Sequence, residues 1–372
     1  MHYLKNFAKK ISGSLWTART PTELILFVTE RCNAKCRHCF IREPANPAQL
    51  SLEKVEKIAA TLLEPINTLV ITGGEPFIRP DLLDLVDVFV RSKPPQTLIF
   101  CTNGSMTKRI CDTVGAVLSK YPGMDVKVQI SLDGLEKVHD EIRGLPGIFR
   151  KAVETIQAIK EMQRQHRNID VIVMTVISTQ NLDELAALNR FVTRELHAVH
   201  DFELIRGSSF FNIPAVLRAY ADPADDSCQC PTLTTLREFL PTLREYYRAN
   251  ARVCYSRLLG AYAYGYKAAK IGYTVKVLER RKPVRCGAGR EWGVIYANAD
   301  ISLCEMIKPI GNLGDTSFNF AQLWSGDKAQ RARKALKCYC THSCFIDGDF
   351  FKRPGSYVAM GFRFCEFLLR KD

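Results

Sequence analysis

The stretch Glu23-Leu-Ile-Leu-Phe-Val-Thr-Glu30, followed by Cys32-Asn-Ala-Lys-Cys36-Arg-His-Cys39, is the most informative part of this 372-residue sequence. Its unbroken apolar, β-prone run indicates a buried strand. Thiolates are the usual ligands of iron–sulfur clusters, and a cubane of four irons takes four ligands. Three cysteines, Cys32, Cys36 and Cys39, therefore leave one iron open. The loop favours a cluster that binds a further molecule.

Two other interpretations of these cysteines stay open on spacing alone. Zinc sites also use cysteines, but they favour paired CxxC or an added HxxxH pair, and the one nearby histidine, His38, lies inside the motif. Free cysteines also pack as small apolar side chains. The choice depends on the chain downstream.

From Glu23 to about Gly207, strand-like and helix-like segments alternate. The strand-like runs are Leu24–Thr29, Thr68–Thr72, Thr97–Thr102, Val126–Leu132, Val171–Ser178 and Phe202–Ile205. The helix-like segments are Leu52–Leu63, Leu82–Arg91, Thr107–Lys120, Phe149–Gln165 and Leu182–Leu196. Ser51 is expected to cap the first helix, and Asn181 with Glu184 resembles a capping box. The alternation predicts a parallel sheet, either doubly wound or curled into a partial barrel.

Polar residues follow several of these strands, at the edge where parallel sheets bind ligands. Gly73-Gly-Glu-Pro76 follows the second strand, and its glycines allow the backbone to approach a ligand closely. Thr102-Asn-Gly104 follows the third strand, and Ser131-Leu-Asp-Gly134 closes the fourth. Ordinary turn chemistry explains each segment taken alone. Arg206, at the end of the sixth strand, is suited to a carboxylate but equally to a surface ion pair.

Taken together, the CxxxCxxC loop and Gly73-Gly-Glu-Pro76, about forty residues apart, resemble the radical S-adenosylmethionine (radical SAM) family. The resemblance implies an α/β fold with a partial (βα)6 barrel. It also implies a [4Fe–4S] cluster with an open iron site on the three catalytic cysteines, and S-adenosylmethionine (SAM) bound there, with its amine held by Glu75 and neighbouring carbonyls. The cofactor-binding residues that it implies are His38, Phe40, Gly73, Gly74, Glu75, Pro76, Asn103, Ser131, Asp133, Arg143 and Arg206.

The last 87 residues contain six of the fourteen cysteines. The run Trp292–Leu303 alternates like a hairpin, with Cys286 before it and Cys304 after it. This region resembles the SPASM/twitch extension of radical SAM enzymes but has fewer cysteines than the full arrangement. We therefore expect one auxiliary [4Fe–4S] cluster, held by Cys286 and Cys304 with two of Cys338, Cys340 and Cys344. Structural zinc is the alternative.

Composition sets wider limits. At 47% hydrophobic and 24% charged residues, the chain is typical of globular proteins. No apolar run reaches the length of a membrane span and the amino terminus lacks an export signal, which predicts a cytoplasmic protein. Basic residues exceed acidic ones by 13, which favours an anionic partner, but they are scattered and no nucleic-acid-binding motif accompanies them.

We divide the chain into a basic segment (1–20), the barrel (21–207), a connecting region (208–284) and the cysteine-rich domain (285–372). Within the connecting region, Leu236–Arg248 and Arg252–Lys270 are expected to be helices, and the tyrosines of the second are expected to be core that also lines the open side of the barrel.

The resemblance implies reductive cleavage of SAM to methionine and a 5′-deoxyadenosyl radical, which abstracts a substrate hydrogen. It also implies an electron donor such as flavodoxin or ferredoxin. Peptide or protein modification is the favoured function, and dehydrogenation or epimerisation of a sugar-like or other small metabolite is the alternative. A non-catalytic iron–sulfur or zinc scaffold is the hypothesis of another class, and it has no use for an amine-binding Gly73-Gly-Glu-Pro76 segment.

Overall fold

Six parallel strands lie side by side in chain order. The computed structural model of this chain describes residues 19–39, 46–205, 231–280, 284, 286–336, 347 and 349–370. The strands are β1 (Glu23–Phe27), β2 (Thr68–Thr72), β3 (Thr97–Thr102), β4 (Asp125–Ser131), β5 (Ile169–Ile177) and β6 (Val199–Leu204). A doubly wound sheet reverses its strand order at a switch point, whereas here every neighbour from β1 to β6 follows in sequence. The predicted partial barrel is therefore confirmed.

The strands show why one face of the sheet is covered and the other is left for a site. Along β4, Val126, Val128 and Ile130 are buried, while Lys127 and Gln129 between them are only half-buried. Successive side chains of a strand point to opposite faces, so the valines and isoleucine face the helices. The alternate residues face the inside of the barrel.

The helices are amphipathic, as the pattern Leu82, Leu85, Val86 and Phe89 in the second of them shows. Ser51 caps the first as expected, since its Oγ accepts from the amide of Lys54. The helices are α1 (Leu52–Ala60), α2 (Leu82–Ser92), α3 (Thr107–Lys120), α4 (Glu136–Arg143), α5 (Ile148–Gln165), α6 (Leu185–Arg190), α7 (Leu233–Cys254), α8 (Arg257–Arg280), α9 (Phe320–Ser325), α10 (Asp327–Ala335) and α11 (Pro354–Leu369). Among the described residues, no helix combines the length and the apolar character needed to cross a bilayer.

The cysteine-rich region continues the same sheet. Strand β7 (Trp292–Ile295) pairs in parallel with β1, and β8 (Asp300–Ser302) and β9 (Gly311–Asn312) follow as antiparallel strands. The predicted hairpin is therefore present, and the strand order is β6-β5-β4-β3-β2-β1-β7-β8-β9. The domain boundaries given above stay predictions.

The helical connecting region differs from prediction at its break. The first helix continues to Cys254 and the second begins at Arg257, rather than at Arg252. Ser256 precedes the second helix, and its carbonyl accepts from the amide of Gly260. A serine is a preferred residue at this position, so Ser256 was the available start signal.

Candidate active site

The glycine-rich segment after β2 lies directly against the loop that carries the cysteines. The amide of Gly74 donates to the carbonyl of Thr29, and that of Glu75 donates to the carbonyl of Arg31, each at 2.8 Å. A Cβ on Gly73 would lie 2.4 Å from the oxygen of Thr29, and one on Gly74 would lie 2.1 Å from the oxygen of Arg31. We expected these glycines to give room to a ligand; the contact that requires them is with the cysteine loop itself.

The carboxylate of Glu75 is buried and faces the end of β3. It accepts from the hydroxyl of Thr102 at 2.8 Å, from the amide of Asn103 at 2.8 Å and from the amide of Phe77 at 3.2 Å. Burial raises the pKa of Glu75 to about 7, although these hydrogen bonds favour the charged form. One side chain thus fixes the ends of β2 and β3 together.

The middle of the cysteine loop is fixed to β3 by amide side chains. Nδ2 of Asn103 donates to Oδ1 of Asn33, and Nδ2 of Asn33 donates to Oγ of Ser105, both at 2.8 Å. Asn103 was predicted to bind a cofactor, and Asn33 had no predicted role. The position of Asn33 between two cysteines was the available signal.

A second contact fixes the same loop to the carboxyl end of α4. The amides of Lys35 and Arg37, which flank Cys36, donate to the carbonyls of Arg143 and Ile142 at 3.0 and 2.9 Å. The last carbonyls of a helix have no partner within the helix. The cysteine loop supplies these partners, although it lies more than a hundred residues away in sequence.

Arg143 reaches back from the same helix end to the cysteines. Its Nη1 donates to Sγ of Cys36 at 3.7 Å, and its Nη2 lies 2.7 Å from Oδ2 of Asp133. Nε2 of His38 lies 3.9 Å from the same carboxylate oxygen. Burial opposes charge on both partners, yet the charge of Arg143 lowers the pKa of Asp133, and the charges of Asp133 and Cys36 raise the pKa of Arg143.

The backbone and carboxylate of Asp133 are themselves held. Its amide donates to Nδ1 of His139 at 2.9 Å, and its Oδ1 accepts from the amide of Val176 at 2.9 Å. Burial, with the nearby charge of Arg143, lowers the pKa of His139 to about 4, so this histidine is neutral near pH 7 and acts as an acceptor.

The predicted capping box at Asn181 and Glu184 is wrong, and both residues serve this site instead. Nδ2 of Asn181 donates to the carbonyls of Asp133 and Val176, each at 2.8 Å. Oε2 of Glu184 accepts from the amide of Leu135 at 2.8 Å. Asparagine is common both at helix caps and in loop hydrogen bonding, so the residue type did not distinguish the two uses.

The sulfur environments fit thiolate ligands. The amide of Ala34 donates to Sγ of Cys32 at 3.4 Å. Burial raises the pKa of Cys32 to about 12, and the charges of Cys36, Glu75 and Cys39 act in the same direction. A bound metal cation reverses that effect, because a coordinating thiol is deprotonated outright.

No three His, Cys, Asp or Glu side chains in the described ranges converge tightly enough to hold a metal ion in this arrangement. The chemistry of the side chains is therefore the observation that bears on whether these cysteines suit an iron–sulfur cluster. Cys32, Cys36 and Cys39 supply three sulfur atoms from one loop, which is hydrogen-bonded to its neighbours on both sides, and thiolates are the usual iron–sulfur ligands.

The two described auxiliary candidates have the same local geometry as Cys32. The amides of Ala288 and Met306 donate to Sγ of Cys286 and Cys304, each at 3.4 Å. Because β7 is parallel to β1, these cysteines lie at the amino end of the strands. The Cys32 loop follows the carboxyl end, and a strand of five residues spans about 16 Å.

Some of the remaining predicted residues lie at the carboxyl ends of the strands, and the others lie outside the residues that the structure describes. Ser131 is the last residue of β4, and Pro76 begins a short 3₁₀ turn after the glycines. Phe40, Arg206, Cys338, Cys340 and Cys344 lie outside the described residues. All the described cofactor-binding candidates except Arg143 belong to strand ends or the loops after them, and α4 brings Arg143 to the same edge.

A small pocket lies beside this edge, between β6 and helices α7 and α8. Its lining is mixed: the ionisable residues include Asp201 and Lys267, and the apolar residues include Phe202 and Leu243. The ammonium of Lys267 donates to the carboxylate of Asp201. Asp201 is opposite Met174 of β5, which is opposite Ser131 of β4, so the pocket is two strands, or about 10 Å, from Ser131.

Comparison with known proteins finds a family whose model matches part of this chain. Residues 26–192 match the radical SAM superfamily. The chain is 31% identical over 144 residues to the antilisterial bacteriocin subtilosin biosynthesis protein AlbA of Bacillus subtilis (38% of this chain, 31% of AlbA). It is 32% identical over 181 residues to the sporulation killing factor maturation protein SkfB of the same organism (47% of this chain, 40% of SkfB). The chain thus spans less than half the length of either relative.

The fold is similar to that of Streptococcus suis SuiB bound to precursor peptide SuiA, with a TM-score of 0.55 and 17% identity over 94% of this chain and 78% of SuiB. At that identity the likeness shows the fold alone, and it agrees with the partial barrel described above. The matched region, residues 26–192, encloses the cysteine loop and the glycine segment packed against it, so the part of the chain that carries the candidate site is similar to the radical SAM superfamily.

Proposed function

We propose that this chain is an enzyme that reductively cleaves SAM and abstracts hydrogen from a peptide or protein substrate. One observation carries the proposal: the segment from Gly73 to Glu75 hydrogen-bonds to the backbone of the cysteine loop, and its glycines leave no room for a side chain. The segment suited to an amine and the loop suited to an open cluster are thereby one unit. A scaffold protein has no need of that unit.

Cys32, Cys36 and Cys39 would hold a [4Fe–4S] cluster, and that cluster would supply the electron that breaks the sulfonium bond of bound SAM. The chain's own residues bind and orient SAM. Glu75 provides a buried negative charge for the amine, and the ends of β3 and β4 provide Asn103 and Ser131. His38, Phe40 and Arg206 complete the proposed set.

A peptide substrate is favoured by the names of the similar proteins. The relatives AlbA and SkfB are named for bacteriocin biosynthesis and killing factor maturation, and SuiB was solved with a precursor peptide. Conversion of a sugar-like metabolite is the second candidate.

An auxiliary [4Fe–4S] cluster at Cys286 and Cys304 is part of the proposal. It is supported by the amide-to-sulfur contacts that both share with Cys32. Two of Cys338, Cys340 and Cys344 would complete its ligands. Cys286 and Cys304 lie at the amino end of the strands, across the barrel from the loop of Cys32, and a cluster held there would accept the electron left on a substrate radical. Flavodoxin or ferredoxin is the proposed source of the electron for SAM cleavage.

The test is anaerobic reconstitution with iron and sulfide, followed by SAM and dithionite, with 5′-deoxyadenosine measured by mass spectrometry. Wild type is expected to form it, and Cys36→Ala is expected to lose it at least a hundredfold. Cys111→Ala, which changes a half-buried cysteine of α3, is the matched control and should match wild type. Absence of 5′-deoxyadenosine from wild type that carries iron and sulfide would remove the enzyme proposal.

Substrate class is tested separately, with peptides encoded beside the gene and with a panel of small sugars. A mass change in a peptide supports the first candidate. A product from the sugars alone replaces it by the second.

A further inference from the structure

We propose that Arg143 sets the reduction potential of the cluster held by Cys32, Cys36 and Cys39, by holding its guanidinium against the sulfur of Cys36. This inference rests on the proposed function. The resemblance assigned Arg143 to the binding of SAM, whereas its contacts in the structure point to a cysteine sulfur.

The guanidinium is oriented by two contacts. Nη1 donates to Sγ of Cys36 at 3.7 Å while Nη2 lies 2.7 Å from Oδ2 of Asp133. Asp133 is fully buried, and Val176 and Asn181 hold its carboxylate and its carbonyl. The ion pair therefore directs Nη1 of Arg143 toward Sγ of Cys36.

The main chain at the end of α4 also holds the residues on either side of Cys36. The carbonyl of Arg143 accepts from the amide of Lys35, and the preceding carbonyl accepts from the amide of Arg37. Cys36 is thus held by main-chain bonds on both sides and by a positive charge on its sulfur. A residue placed only to bind SAM needs none of these contacts with the loop.

The physical consequence follows from charge. One-electron reduction, with the electron supplied by an external reductant, adds one negative charge to the cluster and its thiolates. Arg143 is only 7% exposed and stays protonated, so its charge acts in an environment of low dielectric constant. Hydrogen bonds and positive charge at the sulfurs favour the reduced form and raise the potential.

The test is an anaerobic redox titration of the reconstituted protein without SAM, followed by electron paramagnetic resonance (EPR). The relevant signal is identified by its change when SAM is then added. Arg143→Gln is expected to move the midpoint to a more negative potential, and Arg143→Lys, which keeps the charge but loses the fork, is expected to move it less. Arg150→Gln is the matched control. Its side chain is 78% exposed and pairs with Glu136, so the midpoint should not move.

The SAM dissociation constant, measured on the same samples, separates the two roles of Arg143. An unchanged midpoint in Arg143→Gln with weakened SAM binding would overturn the proposal in favour of a SAM contact. If Arg143→Gln retains no cluster, Arg143→Met, which keeps an unbranched side chain but removes the charge, is titrated instead, and an unchanged midpoint there overturns the proposal equally. If wild type assembles no cluster, the proposed function itself has failed, and this is known before any variant is titrated.

Discussion

The carboxylate of Glu75 accepts a hydrogen bond from the main-chain amide of Asn103 at 2.8 Å, so a buried charge joins the loops after β2 and β3. The cysteine loop contacts both: the amide of Glu75 donates to Arg31, and the side chain of Asn103 donates to Asn33. The segments that follow β1, β2 and β3 therefore form one hydrogen-bonded unit. We expect the protonation of Glu75 to change the unfolding free energy of the whole chain.

The first prediction concerns pH. The pKa of Glu75 is about 7 in the folded chain against an ordinary value of 4.5, so the folded state holds this proton more tightly than the unfolded state. The stability that this supplies is present below about pH 4.5 and is lost as pH rises through 7. Relative to Glu75→Gln, wild type should lose about 2 to 3 kcal/mol of unfolding free energy between pH 5 and pH 8. Urea denaturation of the metal-free protein measures it, and a difference that stays constant with pH would refute it.

A second prediction concerns the contact between the glycine segment and the cysteine loop. Gly74→Ala places a Cβ 2.1 Å from the carbonyl oxygen of Arg31, a backbone atom that moves only if the cysteine loop moves. We expect a loss of about 2 kcal/mol or more in stability and a large fall in iron bound after reconstitution. Gly123→Ala, which meets no atom within 4 Å, is the control and should bind iron like wild type. Full iron content in Gly74→Ala would show that the contact is not needed to form the site.

A third prediction concerns Asn33. Replacement by Ala removes its bonds to Asn103 and Ser105, which leaves a nearly buried amide of Asn103 without that partner. The expected cost is about 1 to 3 kcal/mol, with faster extraction of iron by a chelator. Gln96→Ala, at an exposed side-chain bond to Asn67, should change neither quantity. Equal extraction rates for Asn33→Ala and wild type would mean that this link does not hold the loop.

The fourth prediction separates the two cysteine sites. Cys304→Ala should still form 5′-deoxyadenosine but should lose iron and stop substrate turnover, because it removes a ligand from the amino end of the strands only. Cys365→Ala, at an exposed position of α11, is the control for the loss of a thiol. Normal turnover by Cys304→Ala would exclude an auxiliary role for this cysteine.

Much of the fold was predictable because its signals are local. Strand-like runs, helical periodicity and the cysteine spacing gave the six strands and the edge at which the site lies, and the family resemblance selected the barrel. Helix α4 was missed because it has only eight residues, most of them charged, and only His139, Ile142 and Arg143 are buried.

The contacts that organise the site were beyond sequence reasoning for a different reason. Arg143 meets Cys36 across 107 residues, and Asn181 supports Asp133 across 48, so neither pair leaves a pattern within one element. The pairing of β7 with β1, which joins the cysteine-rich region to the barrel, is likewise a long-range event. The sequence motifs identified candidate site residues, whereas only the folded structure shows which of these residues are in contact.

The central claim is that the loop of Cys32, Cys36 and Cys39 leaves one iron open for SAM. The most direct measurement is the EPR spectrum of the reconstituted, dithionite-reduced protein with and without SAM. The account predicts a spectrum that shifts on addition of SAM in wild type and in Cys304→Ala, and no such shift in Cys36→Ala. An identical spectrum with and without SAM, or zinc in place of iron on these three cysteines, would contradict it.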